Sequence, residues 1–335
     1  MELYLDSVDF KEIEEAFQLG ILAGVTTTPT FMHRHGIKDI DGAIVKLSKM
    51  VPVLQIEALG DTAADMVKEA YRQLDLGLDK TKTVFKMPVS MEALKACKIM
   101  RDDNLLVNIH LVYSLQQAYM AMLAGATYVC PLVGRLQDEG HDALGLVEQC
   151  IETVEYYGFD TKIMFSSVRH AEHVKNALNL GVHTITVPWG VMKKLTDNNF
   201  TKVGTQQFVE HTRLMTVKVG EVINKINPVV QIDHTVLDAI VKMSESGAGA
   251  VSIVDGSQKL VGIFTDGDLR RLLQSNGKDA MQKKLSDFEL KIPVHVTPDT
   301  LLYDAVELIK KYKIDNLVVL ENDKPIGMLD VQDLV

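Results

Sequence analysis

The chain has 335 residues, of which 47% are hydrophobic and 24% charged, and its formal net charge is −10. This composition is typical of a folded globular protein and excludes a disordered or collagen-like chain, and the length predicts about two domains. The acidic balance without a basic run argues against nucleic-acid binding, and no apolar run reaches the roughly 18 residues of a membrane span. With no export signal and three cysteines not spaced for disulfides or zinc, we expect a cytoplasmic protein with no metal.

Eight short apolar runs recur over the first two thirds of the chain, and each is continuous, as in a strand buried on both faces. Segments with helical spacing lie between them, for example residues 62–74, 115–124 and 171–180. This α/β alternation predicts a (β/α)8 TIM barrel over residues 1–222. The alternative, a doubly wound open sheet, lacks a G-x-G-x-x-G after the first strand. The predicted strands are residues 3–6, 23–28, 51–58, 83–89, 105–113, 127–135, 162–168 and 184–189.

The remainder of the chain changes character. Residues 206–225 have helical periodicity, which the pair Asn227-Pro228 breaks. From Pro228 the chain repeats itself, and Gly262 and Gly327 lie 65 residues apart in matching contexts. Such a repeat predicts two half-units that pack together and share a core. We therefore predict a second, α+β domain over residues 228–335.

Ionisable residues occupy the predicted strand ends, which form the active-site face of such a barrel. Lys86 lies within a buried apolar strand, where an amine is costly unless it loses its charge or pairs with an acid. A neutral amine attacks a carbonyl to form a Schiff base, and Asp6 and Glu57 on neighbouring strand ends suit acid/base roles. The alternatives are a buried salt bridge for Lys86, a helix cap for Asp6 and a barrel-mouth salt bridge for Glu57.

Other strand ends carry groups that suit an anion. Arg135 at the end of the sixth strand, with Ser167 and Arg169 after the seventh, indicates an anion pocket, because guanidinium groups match phosphate oxygens. Thr26 adds a hydroxyl on the same side, and His110 lies within the fifth strand. Each arginine alone is equally typical of a solvated loop.

The motifs MELYLD, AGVTTTPT, FKMP, NIHLVYSLQQA, AGATYVCPLVGR and SSVR occur in this order over residues 1–220. They resemble the transaldolase family, in particular its short bacterial branch that includes fructose-6-phosphate aldolase. The resemblance implies class I aldolase chemistry without a cofactor, in which Lys86 forms the Schiff base with a ketose. It also implies proton transfer by Asp6, a Glu57 carboxylate in the acid/base pair and substrate hydroxyls bound by Asn108. Three residues would hold the sugar phosphate: Arg135, Ser167 and Arg169.

Three positions depart from that family pattern. Thr28 replaces the asparagine of the TTNP motif, where we still expect a substrate contact beside Thr26. His110 replaces an active-site threonine that helps to hold a water, and Leu132 replaces the tyrosine of the aldolase branch. A histidine titrates near neutral pH, so we predict that His110 handles protons beside Glu57; filling space or binding a substrate hydroxyl is the alternative.

Residues 228–335 resemble a pair of regulatory CBS modules, and GIFTDGDLRRLL is most similar to the pair attached to arabinose-5-phosphate isomerases. The resemblance implies that Thr265 and Asp268 grip the ribose of an adenosine or other nucleotide. In the second copy Asp333 matches Asp268, whereas Asp330 replaces the usual hydroxyl residue and would repel a nucleotide phosphate. The alternative is a dimerisation module without a ligand.

We thus predict a class I transaldolase or aldolase on phosphorylated ketoses in carbohydrate metabolism, such as the pentose phosphate pathway. A nucleotide or sugar nucleotide bound to the CBS pair would regulate it. A lyase on a different ketose or sugar-acid precursor and a non-catalytic sugar-phosphate sensor are the alternatives. The expected partners are phosphorylated sugars and further copies in a homo-oligomer, with no nucleic acid and no membrane.

Overall fold

The computed structural model describes residues 1–223 and 227–334, apart from the side chain of Lys278. The chain forms two compact units, Met1–Asp197 and Asn198–Val335. Among the described residues, no helix is long and apolar enough to cross a membrane.

The first unit is a closed barrel of eight parallel strands in the order of the sequence, which confirms the predicted (β/α)8 fold. Its strands are β1 (Glu2–Asp6), β2 (Gly24–Thr26), β3 (Leu54–Glu57), β4 (Thr83–Pro88), β5 (Leu106–Val112), β6 (Tyr128–Pro131), β7 (Lys162–Phe165) and β8 (Thr184–Val187). Its helices are α1 (Phe10–Phe17), α2 (Pro29–Arg34), α3 (Ile40–Met50), α4 (Ala63–Leu74), α5 (Met91–Asp102), α6 (Leu115–Leu123), α7 (Val133–Asp138), α8 (Ala143–Tyr157), α9 (Ala171–Leu180) and α10 (Trp189–Met192).

The barrel strands are continuous apolar runs because both of their faces are buried. The main hydrophobic core lies between these strands and the surrounding helices. Polar caps start many of the helices. Thr62 and Asp65, for example, form a capping box at the start of α4, which satisfies backbone N–H groups that lack intrahelical partners.

The strand register brings polar positions together at one end of the barrel. Glu57 on β3 pairs with Lys86 on β4, and Pro88, two residues further along β4, pairs with His110 on β5. Since side chains alternate along a strand, Lys86 and Pro88 share one orientation on β4. The backbone register alone therefore places Glu57, Lys86 and His110 side by side on neighbouring strands.

The second unit contains the predicted repeat. In each copy a parallel strand pair is extended by an antiparallel hairpin, giving one three-stranded sheet per copy with the first strand of the hairpin in its centre. Ala250 of the first copy and Val318 and Met328 of the second share one buried cluster, so the copies share a core as predicted. The elements are α11 (Asn199–Thr216), α12 (Val219–Val222), β9 (Val229–Gln231), α13 (Val236–Ser246), β10 (Ala250–Val254), β11 (Leu260–Thr265), α14 (Asp266–Asn276), β12 (His295–Val296), α15 (Leu302–Tyr312), β13 (Asn316–Glu321) and β14 (Lys324–Asp330), with 3-10 turns at Lys278–Gln282, Leu285–Asp287 and Val331–Leu334.

The compact units divide the chain at Asp197, so α11 and α12 lie in the second unit. The domain bounds 1–222 and 228–335 stay predictions. The single helix predicted over residues 206–225 is divided in two, because Val217 and Lys218 are extended and Lys218 forms a β-bridge with Leu301. The last part of that prediction, residues 224 and 225, lies outside the described residues.

Candidate active site

A cavity of about 750 Å³ opens at the end of the barrel where the strands finish, and all eight strands contribute to it. This volume lies within the range of small-molecule sites, and the carboxyl end of the strands is where barrel active sites form. Nine of the ten predicted barrel-site residues line it: Asp6, Thr26, Thr28, Glu57, Lys86, His110, Arg135, Ser167 and Arg169.

Lys86, Glu57 and His110 form one connected group on three neighbouring strands. The Lys86 Nζ atom lies 3.1 Å from Glu57 Oε1 and donates a 2.7 Å hydrogen bond to the carbonyl oxygen of Thr27. The other carboxylate oxygen, Glu57 Oε2, lies 2.9 Å from His110 Nε2. Lys86 is only 5% exposed and His110 only 8%. The buried salt bridge considered as the alternative for Lys86 is therefore present, and the same amine lines the cavity.

The electrostatics of this group fix its protonation at neutral pH. Burial disfavours the Glu57 carboxylate, but the Lys86 charge and the hydrogen bond from His110 outweigh it and hold the pKa of Glu57 below its ordinary value. Burial lowers the pKa of His110, although Glu57 opposes that change. Glu57 is therefore ionised and His110 neutral. Because a carboxylate only accepts hydrogen bonds, the neutral ring donates from Nε2, which leaves Nδ1 as the proton acceptor.

Asp6 belongs to a second polar group. The Thr26 hydroxyl lies 2.9 Å from Asp6 Oδ1 and also contacts the hydroxyl of Thr186 at 2.5 Å. Burial raises the pKa of Asp6, whereas the positive charge of Lys86 and the hydrogen bond from Thr26 act in the opposite direction. A carboxyl with a raised pKa is suited to both receiving and returning a proton.

The predicted anion pocket is built by the segments after β6 and β7. Arg169 Nη2 lies 2.5 Å from Asp138 Oδ2, and Arg135 Nη1 donates to the hydroxyl of Tyr113 at 3.1 Å. Ser167 has a left-handed backbone with a φ of 59°, a conformation that costs a non-glycine residue about 1–2 kcal/mol and is concentrated at functional sites. These contacts fix both guanidinium groups at the cavity edge.

Asn108 is the one predicted barrel-site residue that does not line the cavity, because its side chain is fully buried inside the barrel and donates a 2.7 Å hydrogen bond to Gln55 Oε1. Its role in binding substrate hydroxyls stays a prediction. The predicted end of the sixth strand is corrected. Arg135 does not end the sixth strand. That strand stops at Pro131, and Arg135 lies in α7, which begins at Val133.

Thr28 lies at the cavity but also has a local role. Its hydroxyl caps α2 by accepting from the backbone N–H of Phe31 at 3.3 Å. The same hydroxyl keeps its proton and can also donate a hydrogen bond.

Arg34 and Cys130 are among the cavity-lining residues that the sequence does not predict. Arg34 at the end of α2 is an isolated arginine in a segment without strand or motif signals. Cys130 lies on β6, within the motif AGATYVCPLVGR that also contains Arg135. Burial raises the pKa of the Cys130 thiol to about 11, so it is protonated and inert at neutral pH.

The predicted nucleotide residues of the second unit cap helices and turns. Thr265 and Asp268 form a capping box at the start of α14, with the Thr265 hydroxyl 2.7 Å from Asp268 Oδ2. The other Asp268 oxygen accepts from Arg271 at 2.7 Å. Asp333 accepts from the backbone N–H of Asp330 at 2.9 Å, so equivalent positions make similar local contacts in the two copies.

A closed (β/α)8 barrel with a buried lysine and acid/base side chains at its carboxyl end defines the first unit as a barrel enzyme of the aldolase type. The sequence profile described as "Transaldolase/Fructose-6-phosphate aldolase" matches residues 3–229, more than half of the chain. The chain belongs to this family. The profile described as "CBS domain" matches residues 219–275 and 285–335, so a CBS pair follows the barrel.

Individual relatives agree with this assignment over the barrel. A "Probable transaldolase" of Coprothermobacter proteolyticus is 37% identical over 62% of this chain and 95% of its own length. One of Anaeromyxobacter sp. is 35% identical over 62% and 96%, and one of Thermoanaerobacter sp. is 34% identical over 65% and 100%. Among solved structures, "Crystal structure of CBSX2 in complex with AMP" is 27% identical over 35% of this chain and 92% of that chain, with a TM-score of 0.31.

Proposed function

We propose that the barrel is a Schiff-base transaldolase or aldolase that acts on phosphorylated ketoses. The observation that carries the proposal is the buried Lys86 amine, which lines the cavity and has a carboxylate and a neutral histidine beside it. Arg135 and Arg169 at the cavity edge support a phosphorylated substrate, because guanidinium groups bind phosphate oxygens in pairs.

The chemistry begins when the Lys86 ammonium passes a proton to the Glu57 carboxylate; the neutral nitrogen then adds to the ketose carbonyl carbon and gives one proton to the carbonyl oxygen. The proton on Glu57 moves to the new hydroxyl, water leaves, and a protonated imine forms. Asp6 then takes the proton of the hydroxyl on the carbon beyond the bond to be broken, and that bond cleaves to release an aldehyde. The electron pair stays on the lysine-bound fragment as an enamine. Addition of the enamine to an acceptor aldehyde is transfer, whereas protonation followed by hydrolysis is cleavage.

Glu57 and His110 would serve the steps in which water leaves or returns. The neutral His110 ring accepts a proton at Nδ1, and the resulting imidazolium is stabilised by the carboxylate 2.9 Å from Nε2. Glu57 also holds the amine in place through its other oxygen. The pair thus stores a proton beside the reacting nitrogen without a metal or cofactor.

We also propose that the CBS pair binds an adenosine or other nucleotide and regulates the barrel, with Thr265, Asp268 and Asp333 at the sites. The match to the CBS profile supports this proposal. The expected compartment is the cytoplasm, in agreement with three buried free thiols at Cys97, Cys130 and Cys150. Homo-oligomer formation and the similarity of the pair to that of arabinose-5-phosphate isomerases stay predictions.

Turnover of a panel of phosphorylated ketoses tests the proposal, with each ketose offered alone and with an acceptor aldehyde, and with products identified by mass spectrometry. Aldehyde release without an acceptor identifies cleavage, and a new ketose that appears only with an acceptor identifies transfer. A protein that binds these sugars without converting any would be a sensor, and the proposal would then be wrong.

A further inference from the structure

The cavity holds a third arginine on the side away from the predicted phosphate pocket. Arg34 ends α2, the segment that follows β2, whereas Arg135 and Arg169 follow β6 and β7. In a closed barrel of eight strands, β2 and β6 are four strands apart and therefore lie on opposite sides of the mouth. Lys86 on β4 is two strands from each. The amine thus lies between two arginine-bearing sides.

The charge balance of the cavity also differs from that of the chain. Four cationic side chains line it, namely Lys86 and the three arginines, against the two carboxylates Asp6 and Glu57. The whole chain has a formal net charge of −10. A positively charged cleft in a negatively charged molecule attracts anionic ligands. This cavity therefore favours anions.

Two of these cations are without an acidic partner. Lys86 pairs with Glu57, and Arg169 pairs with Asp138. Within residues 1–223 and 227–334, no carboxylate lies within 4.0 Å of a nitrogen of Arg34 or Arg135. The guanidinium charges that an incoming anion can neutralise are thus on opposite sides of the mouth.

We propose that Arg34 binds a second anionic group, so that the substrate is an open-chain sugar with an anionic group at each end. This inference deepens the proposed function and rests on it, because it assigns the substrate class of the same cavity. A guanidinium group binds phosphate and carboxylate in the same forked geometry, so either group satisfies the site. The hydroxyls of Thr28 and Thr30 line the same side of the cavity and supply further donors.

Binding of ligands without a carbonyl tests the inference independently of imine formation. The probes are glucitol 6-phosphate, gluconate 6-phosphate and glucitol 1,6-bisphosphate, which carry a neutral group, a carboxylate and a phosphate at the first carbon. Calorimetry on the full chain should show that at least one of the two probes with an anionic group at each end binds about tenfold or more tightly than glucitol 6-phosphate, as a charge-assisted contact implies. The better of the two identifies the anionic group.

The variants separate Arg34 from general electrostatics. Arg34→Gln should abolish the preference for a probe with two anionic groups. Arg34→Lys should keep part of that preference because the positive charge of the side chain remains. Lys38→Gln is the matched control, since it removes a positive charge from an exposed residue nearby that does not line the cavity. Its preference should equal that of the wild type.

Three results would overturn the inference: equal binding of all three probes, no measurable binding of the probes with two anionic groups, or a preference for those probes that survives in Arg34→Gln. Failure of the proposed function has a different signature, namely no ketose trapped on Lys86 by borohydride. A probe preference that depends on Arg34 requires no imine, so the two failures are distinguishable.

Discussion

The Glu57 carboxylate has two partners, one on each oxygen. Lys86 lies 3.1 Å from Oε1 and His110 lies 2.9 Å from Oε2, and all three side chains are almost completely buried. A buried ion pair gains little net stability, because desolvation of two charges offsets their attraction. The arrangement is therefore better explained by chemistry at the amine than by stabilisation of the barrel.

The role of His110 predicts a pH effect with a definite sign. Burial lowers its pKa below the ordinary value of about 6.5, so the ring accepts protons above that lowered pKa and kcat falls as the pH drops through it. His110→Thr should lower kcat by roughly 10²-fold or more and remove this acidic limb. The measurement is kcat against pH for the wild type and the variant.

A second histidine supplies the control. Burial also lowers the pKa of His183, which lies before β8 and does not line the cavity. His183→Gln should leave the pH profile unchanged. If the profiles of the wild type and His110→Thr superimpose, His110 is not a proton acceptor and only fills space or contacts a hydroxyl.

At the scale of elements, α7 and the segment after β7 pack closely against each other. Gly134 in α7 packs so closely on this segment that an added methyl group would overlap the carbonyl oxygen of Ser167. The backbone N–H of Arg169 lies 3.3 Å from His173 Nδ1, and His173 Nε2 lies 2.7 Å from Gln137 at the end of α7. The two segments that present the predicted phosphate ligands thus depend on each other.

Gly134→Ala should therefore damage the phosphate pocket without touching Lys86. We expect KM for a phosphorylated ketose to rise about tenfold or more, because both arginines shift, and KM for the unphosphorylated analogue to change about twofold or less. Gly190→Ala is the matched control, since a methyl group there meets open space. Equal losses of Gly134→Ala on both substrates would contradict a phosphate role for this pair of segments.

The barrel strands and the residues near their ends can be predicted from the sequence. How deep in the barrel each side chain lies cannot. Asn108 and His110 are two residues apart on β5 and share one face, yet only His110 reaches the cavity. The alternation of side chains along a strand determines which face each residue occupies. Its distance from the cavity depends on where the strand starts relative to its neighbours, and the spacing of residues along one strand does not reveal that position. Arg34 is missed for a related reason: tertiary packing places the short α2 at the mouth.

At the scale of the whole molecule, the chain joins a complete family domain to a CBS pair. The Thermoanaerobacter relative aligns over its full length to 220 residues of this chain, so the barrel region stands alone in that protein. Ala250, Val318 and Met328 form one buried cluster that the two CBS copies share. The CBS pair is therefore a part of this chain that the relative lacks.

Deletion of residues 228–335 should accordingly leave turnover within about twofold of the full chain while abolishing any response of the rate to adenosine nucleotides. The rate is measured with and without each nucleotide, and Asp268→Asn in the full chain should weaken the response without changing the basal rate. If the shortened and full chains respond alike to every nucleotide that binds, the CBS pair is a structural module.

Borohydride trapping followed by mass spectrometry of peptides tests the proposed covalent bond between the Lys86 amine and the substrate. Lys86→Met removes the amine while keeping a side chain of similar length, and Lys162→Met is the control because Lys162 lies at the start of β7, away from the cavity. The wild type and Lys162→Met should gain the mass of one reduced ketose on the peptide that contains residue 86, and Lys86→Met should gain none while keeping its circular dichroism spectrum. A ketose adduct in folded Lys86→Met, or none in the wild type with any ketose of the panel, would contradict the claim.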